Sequence, residues 1–434
     1  MNASPANAAN ASTPVSASRL RSLQALGIFS GFAAGAWLGG AEAPIKLVSP
    51  NISPITVSLI MVLGVFLARW SVPAFIRGTA HVGNDVRQAP HLIVWAVLAG
   101  CMWAVANTLT IYAIRNVGLS IAFPLWNTNS LLGIFWGFLL FNELHYAGWK
   151  RWLGVIGGAL CMFAGATMLA IASSHQAAPG KATLGILAAL GAGALWGTMY
   201  IPYRKAYLTG MNPLSFITFF TVGEVLTMSL LAIGYRGAFP LWHELVSARA
   251  VLFWLMLGGF VWVVGDLFQQ YATKYVGISR GIPLSNTNQL WGLLWGILVF
   301  HELQGASRSV YTQVAGGSIL MALGALAISL SSATQREHSS WQDAAQREGT
   351  RYGVEREYVR AGMEGRAHHE IDKRRSPLDW ALIIGTTALF VILAFAAKTP
   401  SVGFSTAWAV ALAIAMLTLM VTCGIALWRV TKFL

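Results

Sequence analysis

The sequence predicts an all-α integral membrane protein: a ten-helix core of two inverted five-helix repeats, plus two extra C-terminal transmembrane helices. Three observations predict it. Hydrophobic residues make up 56% of the 434 and charged residues only 10%, a balance outside that of soluble domains. About a dozen apolar stretches of roughly 20 residues are each long enough to cross hydrocarbon as a helix. Residues 91–144 also align without a gap on 250–303, an offset of 159.

Residues 1–23 open with MNASPANAANASTPVSASRLRS, rich in Ala, Asn and Ser, with neither the positive start nor the short apolar core of a cleaved signal. A disordered cytoplasmic tail is expected there. Spans are expected near 24–42, 53–70, 91–112, 118–141 and 150–172, which form the first repeat over 24–172. The second repeat, over 183–331, takes spans near 183–202, 213–234, 250–272, 278–300 and 310–331. A charged linker is expected over 332–378, either a cytoplasmic surface helix or disordered, and then a two-helix hairpin over 379–434 with spans near 379–397 and 404–428.

The formal net charge of +13 is spread over short loops instead of one basic face, so it bears on orientation and not on nucleic acid. With the N-terminus in the cytoplasm, the inside segments collect Arg19, Arg21, Arg69, Arg77, Arg87, Lys150, Arg151, Arg204, Lys205, Lys274 and Arg280. The outside loops are poorer. The positive-inside rule then gives cytoplasmic N- and C-termini, in what is expected to be a bacterial inner membrane. Lys205, Arg204, Lys274 and Arg280 are expected at helix ends, reaching for headgroups. Cys101, Cys161 and Cys423 all fall in expected spans, which argues against disulfides and thiol metal sites.

The repeat places Trp95 on Trp254, Gly100 on Gly259, Trp103 on Trp262 and Trp37 on Trp196. Five crossings are an odd number, so the second copy starts on the opposite side and lies upside down. That is the architecture of secondary transporters, with a substrate site near the midplane where the repeats meet.

The strongest match is PLWNTNSLLGIFWGFLLFNEL at 124–144 against PLSNTNQLWGLLWGILVFHEL at 283–303. Pro124 and Pro283 each leave a backbone carbonyl without its helical donor in a medium that has no water. Asn127, Thr128, Asn129, Asn286, Thr287 and Asn288 can bond those carbonyls. Equally, an uncharged amide offers both a donor and an acceptor to the hydroxyls of a sugar or to a ureide. Residues two apart differ by about 200° on a helix, so one Asn of each triplet is expected to be the ligand and the other structural. Trp126 stands opposite Ser285, and a Trp there could stack on a sugar ring. Gly133, Gly137, Gly292 and Gly296 permit close helix approach, while Trp136 and Trp295 between them are candidate cavity walls.

Acids are informative because they are scarce. Of 16, nine lie at 337–379. Glu143 and Glu302 end the two motif helices and are expected to cap the next helix or its turn. Glu224 falls mid-span and Asp266 matches Asn107. A carboxyl group buried in hydrocarbon is costly as an anion, which suits both to carry protons. Asp85 and Glu244 belong to loops. No metal cluster, nucleotide loop, cofactor motif or nucleophile triad is present, so neither catalysis nor ATP-driven pumping is expected.

Five plus five helices, the duplicated P-x-x-N-T-N, the terminal NEL and HEL, and WGTMYIPYRK at 196–205 together resemble the drug/metabolite transporter superfamily. The likeness covers 24–331 and is nearest to the glucose/ribose porter-like sugar permeases and the ureide permeases. It implies small-solute transport driven by an ion gradient, with the fourth and ninth helices lining the cavity. It also carries the six Asn and Thr residues of the two triplets over as substrate contacts. The expected function is proton-coupled uptake of a small neutral metabolite by alternating access, a sugar first and a ureide second. A drug or metabolite exporter and a non-transporting membrane scaffold are the alternatives.

Overall fold

The structure, a computed structural model, describes residues 17–41, 43–47, 52–117, 125–126, 128–173, 182–301, 303–366, 375–398 and 403–434. In the first half these form α1 (Ala17–Gly40), α2 (Pro54–Ile76), α3 (Ala80–Gln88), α4 (His91–Val117), α5 (Asn129–Phe141) and α6 (Trp149–Ser173). The second half holds α7 (Ala182–Leu208), α8 (Pro213–Arg236), α9 (Ala238–Ser247), α10 (Leu252–Val276), α11 (Ile278–Ser285), α12 (Asn288–Leu294) and α13 (Arg308–Leu330). Then come α14 (Gln335–Arg351), α15 (Arg356–Met363), α16 (Pro377–Ala396) and α17 (Thr406–Thr431). Among the described residues nine helices are long and apolar enough to cross a membrane, and the chain is an all-α multi-pass membrane protein.

The start of the second helix is written alike in both halves. Ser53 caps α2 by accepting from the Thr56 amide, and Asn212 caps α8 by accepting from the Leu214 amide at 2.9 Å. A proline follows each, at the one helical position where a missing N–H costs nothing.

Glycines fix the crossings. A Cβ on Gly100 would lie 2.0 Å from the Phe220 carbonyl oxygen, and one on Gly223 would lie 2.2 Å from that of Val97, so α4 and α8 touch backbone to backbone. Gly259 and Gly64 do the same for α10 and α2, against Met61 and Met256. Adding the offset of 159 to Gly64 and Gly100 gives Gly223 and Gly259, so the two crossings are copies of each other. Between α6 and α13, Gly158 meets Gly324 and Gly165 meets Gly317, and the same offset again exchanges the partners. Rising numbers in α6 meet falling numbers in α13, so these two equivalent helices run antiparallel.

Four expectations change. Helix α1 begins at Ala17, inside the stretch read as a tail, and Arg19 donates to the carbonyls of Glu364 and Gly365. The span expected at 278–300 is broken: α11 ends at Ser285, α12 starts at Asn288, and Trp295–Val299 is a π turn. The segment after 331 is two helices docked on the bundle, with Glu337, Trp341 and Ala345 fully buried. Instead of pairing as a hairpin, α16 packs on α2 and α10, while α17 packs on α1. Both leave most of their apolar surface facing outward, as lipid-facing helices do.

Candidate functional site

The break between α11 and α12 is held by its own threonine. Thr287 Oγ1 donates to the Leu284 carbonyl at 2.8 Å, and Thr128 Oγ1 donates to the Leu125 carbonyl at 2.7 Å in the first motif. The threonines thus supply the hydrogen bonds that the distorted turns lack. Each motif is pressed against the first helix of the other half, where no side chain would fit. A Cβ on Gly35 or Gly39 would collide with Thr287 or Asn288, and one on Gly193 or Gly197 with Thr128 or Asn129.

The two triplets meet. Asn286 Nδ2 lies 3.4 Å from Asn129 Oδ1 and also donates to Ser130 Oγ. Asn286 and Ser130 line a cleft with Gln289, Phe163, Met162 and Met321. Gln289 Oε1 is buried without a hydrogen-bond partner among the described residues, and so is Asn288 Oδ1. Behind the cleft Gln269 donates to Ser285 Oγ at 2.6 Å and to the Tyr200 hydroxyl at 3.2 Å.

The aromatic candidates stand elsewhere. Trp126 packs against Ala113, Ala188, Ala189 and Ala192, edge-on to Trp196 at 6.0 Å. Trp136 Nε1 donates to Thr198 at 3.3 Å, and Trp295 packs beside Gly40. Phe163 is the aromatic wall of the cleft, and no motif marks it. Asn127, Pro124 and Glu302 lie outside the described residues, whereas Pro283 sits inside α11, two residues before its end.

Glu224 and Asp266 share one partner. Arg69 Nη1 reaches Glu224 Oε2 at 3.1 Å and Arg69 Nη2 reaches Asp266 Oδ2 at 2.8 Å, with all three side chains buried. The Phe220 ring covers the guanidinium at 4.0 Å and Trp262 flanks it at 5.2 Å. Two carboxylates against one guanidinium leave one negative charge where solvation is poor, an expensive arrangement unless a proton or cation completes it. Gln270 donates to Asp266 at 2.7 Å and accepts from Tyr207, which joins the triad to α7, while Gln269 follows Asp266 along α10.

Sequence reasoning placed Arg69 in a cytoplasmic segment because α2 was expected to stop at 70. The helix runs to Ile76, and the two additional turns bring Arg69 into the bundle. Arg204, Lys274 and Arg280 are likewise buried instead of reaching for headgroups.

Glu143 caps a helix, though not the next one. Its carboxylate accepts from the amides of Ile278 at 3.1 Å and Ser279 at 2.9 Å, the first turn of α11 in the other half, and pairs with Arg204 Nε at 3.0 Å. Gly277, at φ +84°, turns the chain so that these amides face the acid. At the opposite end of the bundle Glu244 accepts from the Ser53 hydroxyl and from Thr56, and pairs with Arg236 at 3.0 Å.

A family model described as "Sugar transport protein" matches residues 187–351. A Listeria innocua protein named for sugar uptake is 24% identical over 235 residues, 53% of this chain and 76% of its own length. The glucose uptake protein of Staphylococcus xylosus is 22% identical over 216 residues, covering 49% of this chain and 69% of its own. A sugar uptake namesake from Streptococcus pyogenes reaches 50% identity over 52 residues, 11% of this chain and 18% of its own. The resemblance to sugar permeases therefore extends from the duplicated motif to half of the chain.

Proposed function

We propose that this chain is a secondary active transporter for a neutral sugar, coupled to protons, working by alternating access between two inverted five-helix repeats. The observation that carries the reading is the meeting of Asn129 and Asn286 beside the cleft that Asn286 and Ser130 line. An amide pair with Ser130 and Gln289, whose Oε1 has no partner among the described residues, offers donors and acceptors without charge, and Phe163 offers a flat apolar wall. The cleft's volume here is about 10 Å³, so the halves must part before a ring with hydroxyls and apolar faces can meet both surfaces.

The antiparallel contact of α6 with α13, and the glycine pairs exchanged by the offset of 159, support inverted repeats. In this reading the halves rock about those contacts, with the fourth span and the broken ninth between them. Glu224, Asp266 and Arg69 carry the coupling: their net charge of one unit is neutralised by one proton, and Asp266 lies on α10 itself, whose Gln269 holds Ser285, next to Asn286. The termini face the cytoplasm of a bacterial inner membrane, as the positive-inside rule directs.

Purified protein in liposomes, given a panel of radiolabelled hexoses, pentoses and allantoin with and without an external acid pulse, tests this. Saturable, gradient-stimulated accumulation of one sugar is expected. Sugar uptake that ignores the pH gradient removes the proton coupling, and uptake of allantoin alone moves the substrate to the ureides.

A further inference from the structure

The helices α14 and α15 lie outside the ten-helix core, yet they are stitched into both halves of it at one end of the bundle. Glu337 is the centre of the stitch. Its Oε1 accepts from the Leu144 amide of the first half at 2.9 Å and from Arg280 Nη1 of the second half at 2.8 Å, and its Oε2 takes Arg280 Nη2 at 3.1 Å. Arg280 Nε also donates to the Ser331 carbonyl at 2.7 Å. A two-pronged pair of this kind is both strong and directional.

Further contacts fall on either side of the same seam. Toward the first half, Thr334 donates to the Tyr146 carbonyl at 3.2 Å and Tyr358 donates to Asp85 at 2.6 Å. Toward the second half, Trp341 lies under the Arg204 guanidinium at 4.7 Å, Glu348 pairs with Lys205 at 2.8 Å, and Gly362 approaches Gly210 with no room for a side chain. Arg204 in turn holds Glu143, the cap of α11. The α14 segment therefore clasps the end of the broken ninth span to the end of the fourth.

We propose that α14 and α15 form a lock that keeps this end of the bundle closed, and that Glu337 must leave Arg280 and Leu144 before the end can open. The reason is geometric: one carboxylate cannot follow two halves that separate. A buried guanidinium without its partner is strongly unfavourable, so Arg280 must gain water as Glu337 departs. Unlocking and wetting of the cleft are then one event. The proposal rests on the rocking motion set out above.

The test uses the full chain in liposomes with Cys101, Cys161 and Cys423 replaced by serine and a single cysteine introduced by Ala159→Cys, at the cleft. Labelling by a membrane-impermeant maleimide, added to the side that carries α14, is expected to rise at least about fivefold in Glu337→Gln and in Trp341→Ala. Unchanged labelling in variants that keep the parent's chromatographic profile overturns the lock. A second measurement does not depend on how those variants fold. Thr334→Cys with Tyr146→Cys, joined by a short reducible cross-linker, is expected to stop uptake until reductant is added. Full uptake in the cross-linked protein also overturns the lock while leaving sugar transport standing. Absence of sugar uptake in the parent strikes the transport reading instead and leaves the labelling result interpretable.

Discussion

Asn286 Nδ2 stands 3.4 Å from Asn129 Oδ1, so residues 157 positions apart in the chain share one hydrogen-bonding surface. Removing either amide leaves a buried partner unsatisfied, which costs about 1–3 kcal/mol. Asn286→Ala and Asn129→Ala are expected to raise the half-saturating sugar concentration by roughly 5–100-fold. Trp126→Phe, in its alanine-lined pocket, is expected to change it less than about threefold. Concentration series of initial uptake check both, and a larger effect at Trp126 than at Asn286 would move the site.

Substitutions in the charge triad test the proposed coupling apart from binding. Glu224→Gln is expected to abolish accumulation against a gradient while preserving exchange of labelled for unlabelled sugar across liposomes. Arg69→Gln differs, because it strands two buried carboxylates at a cost of about 3–5 kcal/mol. Its thermal midpoint should fall by many degrees, and adding Glu224→Gln should recover part of the loss. A double variant less stable than Arg69→Gln alone contradicts the pairing.

Glu143 holds α11 through two amide hydrogen bonds and Arg204. Glu143→Ala is expected to cost about 3 kcal/mol or more, since it removes a cap and leaves a buried guanidinium unpaired. Glu143→Gln, which keeps acceptor geometry without charge, should cost less. Thermal unfolding in detergent followed by size-exclusion fluorescence ranks the three proteins, and equal midpoints would mean the cap does not hold the helix.

Glycines at crossings should behave unlike glycines at the surface. A Cβ on Gly259 would lie 2.1 Å from the Met61 carbonyl oxygen, whereas one on Gly157 meets nothing within 4 Å. Gly259→Ala is therefore expected to forfeit folded yield, and Gly157→Ala to be neutral or stabilising by up to about 1 kcal/mol. Its image across the repeat, Gly100→Ala, should follow Gly259→Ala. A tolerant Gly259 beside an intolerant Gly157 would invert the packing argument.

His338, on the lock, should make it sensitive to acid. Burial foremost, and the Arg204 guanidinium beside it, hold this imidazole down at about 4 against the opposing pull of Glu364 and Glu337. A released or unfolded histidine titrates near 6.5. Between these values only the released form takes a proton, so the contribution to docking is complete above about 6.5 and is lost as pH falls toward 4. The thermal midpoint is expected to drop by several degrees from pH 7 to 5, and less in His338→Phe. A drop of the same size in both assigns the acid sensitivity to other groups.

Much of this architecture was legible because the duplication is written in residues that cannot be exchanged freely. The prolines, the Asn–Thr–Asn triplets and the crossing glycines recur at a fixed offset since each answers a backbone demand that hydrocarbon cannot meet. Arg69 escaped because a cation near the end of an apolar stretch looks like a headgroup anchor, and only the true length of α2 tells otherwise. The docking of α14 escaped for a related reason. A helix that buries Glu337 against Arg280 has the composition of a solvated linker, and composition cannot reveal that a partner is waiting. Phe163 and Gln269 lie outside the duplicated motif, and only folding brings them beside it.

Arg204 corresponds to Ile45 across the offset, and nothing in the first half corresponds to Glu337. A perfect duplication would be a balance with equal arms, its two faces isoenergetic when empty. Here the face with Arg204, Arg280 and Glu337 is held by more buried ion pairs than the face where Glu244 meets Ser53 and Thr56, so in the proposed cycle the empty protein rests on one side of the balance. In the proposed cycle that bias slows the step away from the clasped face and speeds the return, with no net cost over a full turn.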